Sequence, residues 1–306
     1  MRSRSRRYRP IRGRLLKPPP FTYVAPSSLE EALGSLADAG EDAKILAGGQ
    51  SLLPLLSLRL ARPSVLVDFR RVGSLDGVSE RDGTVSIGAM VRERAIERSA
   101  VIAEKIPLLA AALPLIGHPA IRNRGTVGGS VAHADPSAEI PAVALALEAE
   151  MVIRSAARGE RRLPAADFFQ GFFTTALEPD EALVAVCFPV ARPSSGVAFV
   201  EAARRHGDFA MVGAAAVVSA EDGRITDARI ALIGVADTPL RRPEAEELLV
   251  GAEIRSERFE EAAEAAGEGL TPATDIHGTS AYRTHLARVL TRRALEKAAT
   301  DVRGAA

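Results

Sequence analysis

The residues with the most chemical promise fall in two short segments, LAGGQSLL (Leu46–Leu53) and TVGGSVAHADPSAEIP (Thr126–Pro141). Each holds a Gly-Gly pair followed by a small polar residue and an apolar run. Backbone N–H groups at glycine approach a ligand with no Cβ in the way, and consecutive N–H groups form an anion-binding nest. A diphosphate suits such a nest, with the hydroxyls of Ser51 and Thr126 as further donors. Neither glycine loop contains Lys or Arg, so binding there would rest on backbone dipoles rather than side-chain charge. Taken singly, each pair is more simply a tight turn.

Just beyond the second pair, Asp135 and Glu139 offer carboxylates that accept hydrogen bonds from ribose hydroxyls or a ring N–H. Capping the helix that begins near Glu139 is the alternative role. FVEAARRHGDFAMVG sets Arg204, Arg205 and Asp208 at a strand end, where on their own they read as a surface ion pair. Other chemistries find no foothold. No G-x-G-x-x-G opens a helix, no G-x-x-x-x-G-K-[ST] occurs, and no G-x-S-x-G elbow marks a serine hydrolase. His118, His133, His206, His277 and His285 are scattered without the spacing of a zinc site.

These segments need elements to hold them. SLEEALGSLADA (Ser28–Ala39) has a Ser ahead of an acidic first turn and Leu29, Leu33 and Leu36 at helical spacing. AKIL then leads as a strand into Gly48-Gly49, LLPLLSLRLA is helix or turn, and SVLVDF is a strand. After the Asp82-Gly83 turn, TVSIGA reads as a strand, and RERAIERS and AEKIPLLAAALPLI as helices. Periodicity vanishes from Arg122 to Pro136, which reads as a loop. EIPAVALALEA follows as a buried helix, then EMVIRSA and ALVAVCFPV as strands around a Phe-rich connection. ARPSSG is the linker. Beyond it three strand-like segments, GVAFVEAAR, VGAAAVVSA and ITDARIALIGVA, precede three helices. Strands followed by helices give an α+β class rather than a second βαβ array.

Composition bounds the function. The chain has 306 residues, 47% of them hydrophobic, enough for a substantial core and roughly two domains. Charge balances at 39 basic and 39 acidic residues, but eight of the basic ones lie in MRSRSRRYRPIRGRLLK. The remainder is mildly acidic, which argues against a nucleic-acid-binding face. Residues 1–16 are expected to be a basic disordered tail. Cys187 is the lone cysteine, so the chain forms no internal disulfide and cannot hold an iron–sulfur cluster through four thiolates. No apolar run is long enough for a membrane span, and the start lacks a signal-peptide core. The expectation is a soluble, cytoplasmic protein without stable membrane insertion.

Taken together, LAGGQSLLPLLSLRLARP, SIGAMVRE, RNRGTVGGSVAHADPSAEIP, DFFQGFFTTALEPDE and FVEAARRHGDFAMVG occur in an order that resembles the FAD-binding medium subunit of the molybdenum hydroxylase (xanthine dehydrogenase) family, of the aerobic carbon monoxide dehydrogenase type. The resemblance covers about residues 17–290. It implies a two-subdomain FAD-binding domain of PCMH type over 17–190, divided near residue 70, and a C-terminal α+β domain over 196–300 with a three-stranded sheet and helices. By motif, Ala47, Gly48, Gly49, Gln50, Ser51 and Leu52 form the first FAD loop, and Thr126, Val127, Gly128, Gly129 and Ser130 the second. Asp135 and Glu139 match the acidic positions after that loop, and Ile116 and Val184 match apolar cofactor contacts.

The same resemblance implies partners: a small subunit with two [2Fe–2S] clusters, a large molybdopterin subunit, and a dimer of heterotrimers. Electrons arriving from the clusters would leave through FAD to an external acceptor. Flavin supplies that chemistry, so no side chain is nominated as an acid–base catalyst. Three positions depart from the pattern: Gln50 stands where some relatives have His, Phe173 where many have an aromatic hydroxyl, and Val200-Glu201 where several place a lysine. A self-contained flavin oxidase or dehydrogenase and a flavin-free assembly subunit are the alternative readings.

Overall fold

The computed structural model describes residues 17–304; the tail expected at 1–16 lies outside them. Strand β1 (Thr22–Val24), helix α1 (Leu29–Ala39), β2 (Ala43–Leu46), α2 (Leu52–Ser57) and β3 (Val65–Asp68) build a three-stranded parallel sheet in the order β1-β3-β2. Ser28 starts α1 by accepting from the Glu31 amide at 3.1 Å, while the Glu31 carboxylate accepts from the Ser27 amide at 2.9 Å. The helix then buries Leu29, Leu33 and Leu36 beside Val67 and Phe69. Leu46 pairs with Asp68 in the parallel ladder, so the first glycine pair and Phe69-Arg70 leave the sheet at the same edge.

A second sheet follows, with β4 (Val78–Arg81), β5 (Thr84–Gly88), β6 (Glu150–Ser155), β7 (Gly159–Pro164) and β10 (Glu181–Pro189) in the antiparallel order β4-β5-β10-β6-β7. Between β5 and β6 run α3 (Glu93–Glu97), α4 (Ala100–Lys105), α5 (Pro107–Ala112), α6 (Pro119–Arg122), α7 (Val127–His133) and α8 (Glu139–Ala146). Short α9 (Ala165–Phe168) and the hairpin β8 (Phe169–Gly171) and β9 (Thr174–Thr175) occupy the Phe-rich connection.

The segment expected to be a loop, Arg122–Pro136, is thus helical over about half its length, at Arg122 and along α7. Gly128-Gly129 and the β-branched Val127 and Val131 hide that helix from propensity and periodicity. It forms because Thr126 caps one end, and it stops at Ala134, which adopts the left-handed conformation at φ 50°.

The C-terminal half comprises β11 (Ser195–Ala202), β12 (Val212–Glu221), β13 (Arg224–Ile233), β14 (Leu240–Arg241), α10 (Pro243–Glu247), α11 (Ser256–Ala266) and α12 (Ser280–Gly304). The three long strands match expectation. A fourth, β14, extends the sheet to β11-β12-β13-β14, and its two residues are too few to carry a sequence period. Strand β12 is buried on both faces. Ala214, Ala216 and Val218 pack with Phe259 of α11 and Leu290 of α12, whereas Ala215 and Val217 share a core with Ile140 and Ala144 of α8. Every residue of α8 is buried, and Ile140, Val143 and Leu145 each contribute on the order of 1.5–3 kcal/mol by leaving water. Helix α8 therefore joins the two halves directly behind the second glycine pair.

Candidate cofactor site

The bare backbone of Gly48 faces the protein. A Cβ built there would lie 2.9 Å from Gly125 Cα and collide with the Arg124 carbonyl oxygen. At Gly128 it would lie 2.6 Å from Ala89 Cα. Both glycines bring the two motif segments and the end of β5 into backbone contact. A Cβ at Gly129 would stand 3.5 Å from Ala47 Cβ, a third point of approach between the two segments.

Hydrogen bonding divides the labour between them. In the second segment, the Val127 amide donates to Val91 O (3.0 Å), Gly128 to Ala89 O (2.9 Å), Gly129 to Thr126 Oγ1 (3.1 Å) and Ser130 to Thr126 O (3.0 Å). Thr126 is buried, and its hydroxyl oxygen serves as a helix cap. In the first segment, the amides of Gly48, Gly49, Gln50 and Ser51 donate to no acceptor among the described residues. Gln50 folds back, its Nε2 donating to Gly48 O at 3.0 Å. Ser51 precedes α2 without capping it, and Leu52 begins that helix. Four successive amides without acceptors thus lie beside a second segment whose amides are all bonded.

The apolar candidates lie close by along the chain of contacts. Val184 interrupts the β10–β6 register, with Leu183 opposite Ile153 and Ala185 opposite Val152, so it is the extra residue of a bulge. Its carbonyl accepts from the Ala89 amide at 2.9 Å, the residue against which Gly128 packs. Ile116 is held by Arg122, a residue absent from the sequence-based site. Arg122 is 5% exposed, and its guanidinium donates to the carbonyls of Ile116 (2.9 Å) and Gly117 (3.0 Å) and to both Glu97 oxygens at 2.9 and 3.0 Å. These bonds hold the Glu97 carboxyl down to about 2, with the Arg122 hydrogen bonds the largest cause.

Asp135 does not cap α8, whose N-cap is Ala138. Its side chain accepts from the Ser137 amide at 2.9 Å in a local Asx turn that leads into the helix. Glu139, the first residue of α8, is buried, and its carboxyl is pushed up to about 8 by burial, then by the negative charges of Glu201, Glu93 and Asp135. Glu93 is pushed up to about 8 by burial, against the pull of Arg122 and Arg92. Burial raises Glu201 to about 7. Oε2 of Glu93 and Oε2 of Glu201 lack hydrogen-bond partners among the described residues. Sequence reasoning missed Glu93, because its burial depends on lying beside Gly125, more than thirty positions away in the chain.

Phe173 adopts φ 53° and stacks on His133 with ring centroids 4.8 Å apart. His118 and His206 meet edge to face at 6.3 Å, one from each half of the chain. Arg204, Arg205 and Asp208 are exposed, and the expected ion pair among them does not form. Among the described residues no cluster of His, Cys, Asp and Glu could hold a metal, and no helix is long and apolar enough to cross a membrane.

Comparison with known proteins identifies the family. Residues 19–191 match the FAD binding domain in molybdopterin dehydrogenase, and 197–298 the CO dehydrogenase flavoprotein C-terminal domain. The 6-hydroxypseudooxynicotine dehydrogenase complex subunit alpha of Paenarthrobacter nicotinovorans is 45% identical over 92% of this chain and 96% of its own. The structure of carbon monoxide dehydrogenase from Hydrogenophaga pseudoflava superposes with a TM-score of 0.90 at 41% identity, covering 92% and 98%. Quinoline 2-oxidoreductase from Pseudomonas putida 86 gives 0.89 at 45%, covering 94% and 99%. With two domain matches in order and full-length relatives above 40% identity, the chain belongs to the FAD-binding medium subunits of the molybdenum hydroxylases, oxidoreductase components of multi-subunit enzymes.

Proposed function

We propose that this chain is the electron exit of its holoenzyme. A partner small subunit delivers electrons from [2Fe–2S] clusters, a large molybdopterin subunit oxidises the substrate, and the assembly is a dimer of heterotrimers. FAD, when bound here, would supply the reversible two-electron chemistry by which those electrons reach an external acceptor. The chain's own residues bind and orient. Four free amides from Gly48 to Ser51 hold the diphosphate, Leu52 begins the helix behind them, and Ala47 and Gly129 close the seam to the second segment. Thr126, Val127, Gly128 and Ser130 keep that segment rigid. Ile116 and Val184 supply apolar contacts, and Asp135 and Glu139 accept hydrogen bonds from ribityl or ring donors.

The observation that carries this reading is the run of unsatisfied amides beside a fully satisfied wall. The division we propose is 17–190 for the flavin domain, with subdomains meeting near residue 70, and 196–300 for the C-terminal domain. The boundaries of the family matches and the separate sheets support it. A cytoplasmic place is supported by the single cysteine, buried and unpaired in β10. Relatives of 39–45% identity carry the names of nicotine, caffeine and carbon monoxide enzymes, so the substrate is chosen in the partner subunit. Affinity purification of the chain from its native cell tests the assignment. Recovery of FAD together with an iron–sulfur and a molybdopterin subunit is the expected result; recovery of the chain alone, without flavin, would refute it.

A further inference from the structure

Arg92, between β5 and α3, stands where the two glycine segments meet. It pairs with Thr126 in an isolated antiparallel bridge, flanked by the Val127 amide donating to Val91 O at 3.0 Å and the Glu93 amide donating to Gly125 O at 3.1 Å. Its guanidinium Nη1 donates to the carbonyl oxygen of Arg124. That oxygen is the one against which the bare backbone of Gly48 presses. The guanidinium and the residue that opens the run of free amides therefore meet at one atom.

Holding a carbonyl takes a donor, not a charge. The contact occupies one of five guanidinium N–H groups, and Arg92 makes no other side-chain hydrogen bond and no ion pair among the described residues. It is half-buried and lines a cavity of about 190 Å³ together with Arg70, Asp76 and Met90. Arg70 is neutralised there by Asp68 at 2.6 Å, and Asp76 pairs with neither arginine. The Arg124 side chain is exposed and also lacks an ion pair among the described residues. Burial, then the cations of Arg124 and Arg70, lower the proton affinity of Arg92 against the weaker pull of Asp68 and Glu93. A half-buried cation without a counter-ion costs free energy until an anion reaches it.

We propose that Arg92 is the charge partner of the cofactor diphosphate, supplying from outside the two glycine segments the cation that neither contains. This rests on the reading that the amides from Gly48 to Ser51 hold the diphosphate. The amides orient it as dipoles, and the guanidinium, anchored by the Arg124 carbonyl with donors to spare, neutralises it. FAD affinity then has a side-chain electrostatic share that salt screens.

The test is titration of FAD into the full chain freed of flavin, followed by flavin fluorescence, at about 50 and about 500 mM NaCl. The wild type should bind several-fold more weakly at the higher salt. Arg92→Gln, which lacks the charge, should bind about 10- to 100-fold more weakly at low salt and lose most of the salt dependence. Arg92→Lys should stay close to the wild type in both. Unchanged affinity in Arg92→Gln, a loss there with the salt dependence retained, or an equal loss in Arg92→Lys overturns the proposal while leaving the cofactor assignment intact. The wild-type series depends on no variant folding, and an affinity indifferent to salt overturns the proposal by itself. No FAD binding by the wild type removes the cofactor assignment and the proposal together.

Discussion

Gly48 presses its backbone against the peptide joining Arg124 to Gly125, leaving no room for a Cβ. The contact ties the free amides of the first segment to the satisfied wall of the second. Gly48→Ala forces the two apart, with an overpacking cost of about 1–3 kcal/mol, and empties the flavin site. Gly34→Ala is the contrast. It sits within α1, where a Cβ meets nothing within 4 Å, so it should stabilise by about 0.5–1 kcal/mol. Denaturant midpoints and the flavin-to-protein absorbance ratio check both.

Thr126→Val removes the hydroxyl that accepts from the Gly129 amide and leaves that N–H without a partner. The expected loss is about 1 kcal/mol of stability, with weaker FAD binding because α7 frays where the two segments meet. Thr126→Ser keeps the cap and should restore both, as measured by chemical denaturation and FAD titration.

Arg122→Met breaks a buried ion pair and two carbonyl contacts in one step. It should destabilise by about 1–3 kcal/mol, since the carbonyls of Ile116 and Gly117 lose their buried donor and Glu97 keeps only Arg94, at 2.7 Å. The linked pH effect has a definite sign. Glu97 is depressed from 4.5 to about 2 in the folded chain, so its contribution is present above the unfolded value and disappears as pH falls through that window. Acid unfolding should therefore become shallower in the Glu97→Gln, Arg122→Met double variant, read by circular dichroism.

At the opposite end of the pH scale, Glu93 and Glu139 are raised from 4.5 to about 8. The folded chain holds protons that the unfolded chain has released, so their contribution is full below the unfolded value and is lost as pH rises through the folded one. Flavin-free protein should show a lower thermal midpoint at pH about 9 than at pH about 6. Glu93→Gln should flatten that decline; an unchanged slope would remove Glu93 as its source.

The sequence carried the long periodic elements and the position of both glycine pairs, because helical leucine spacing in α1 and apolar runs such as AKIL and VLVD are local signals. It lost α7, where glycines serve close packing rather than a turn. Strand β4 was also missed, since all four of its residues are exposed and alternation has nothing to report. At the site, the family motif located the loops but not their division of labour. Whether an amide is free depends on acceptors such as Ala89 and Val91, which lie some forty residues from the second pair. Glu93 and Arg122 escaped notice for the same reason, and Glu201 stood out only as a departure from the family pattern: their surroundings arise from neighbours distant in sequence.

The electron entry proposed above is through a partner surface, and a single cysteine cannot supply the four thiolates of an iron–sulfur cluster in this chain. The most direct measurement is anaerobic visible absorbance of the flavin-loaded chain, first alone and then with the iron–sulfur and molybdopterin subunits proposed as its partners. Alone, it should bleach with dithionite but with no organic or gaseous substrate, and substrate-dependent bleaching should appear when both partners are added. Bleaching of the isolated, pure chain by an alcohol, an aldehyde or a hydroxy acid would contradict the account and mark a self-contained flavin oxidase.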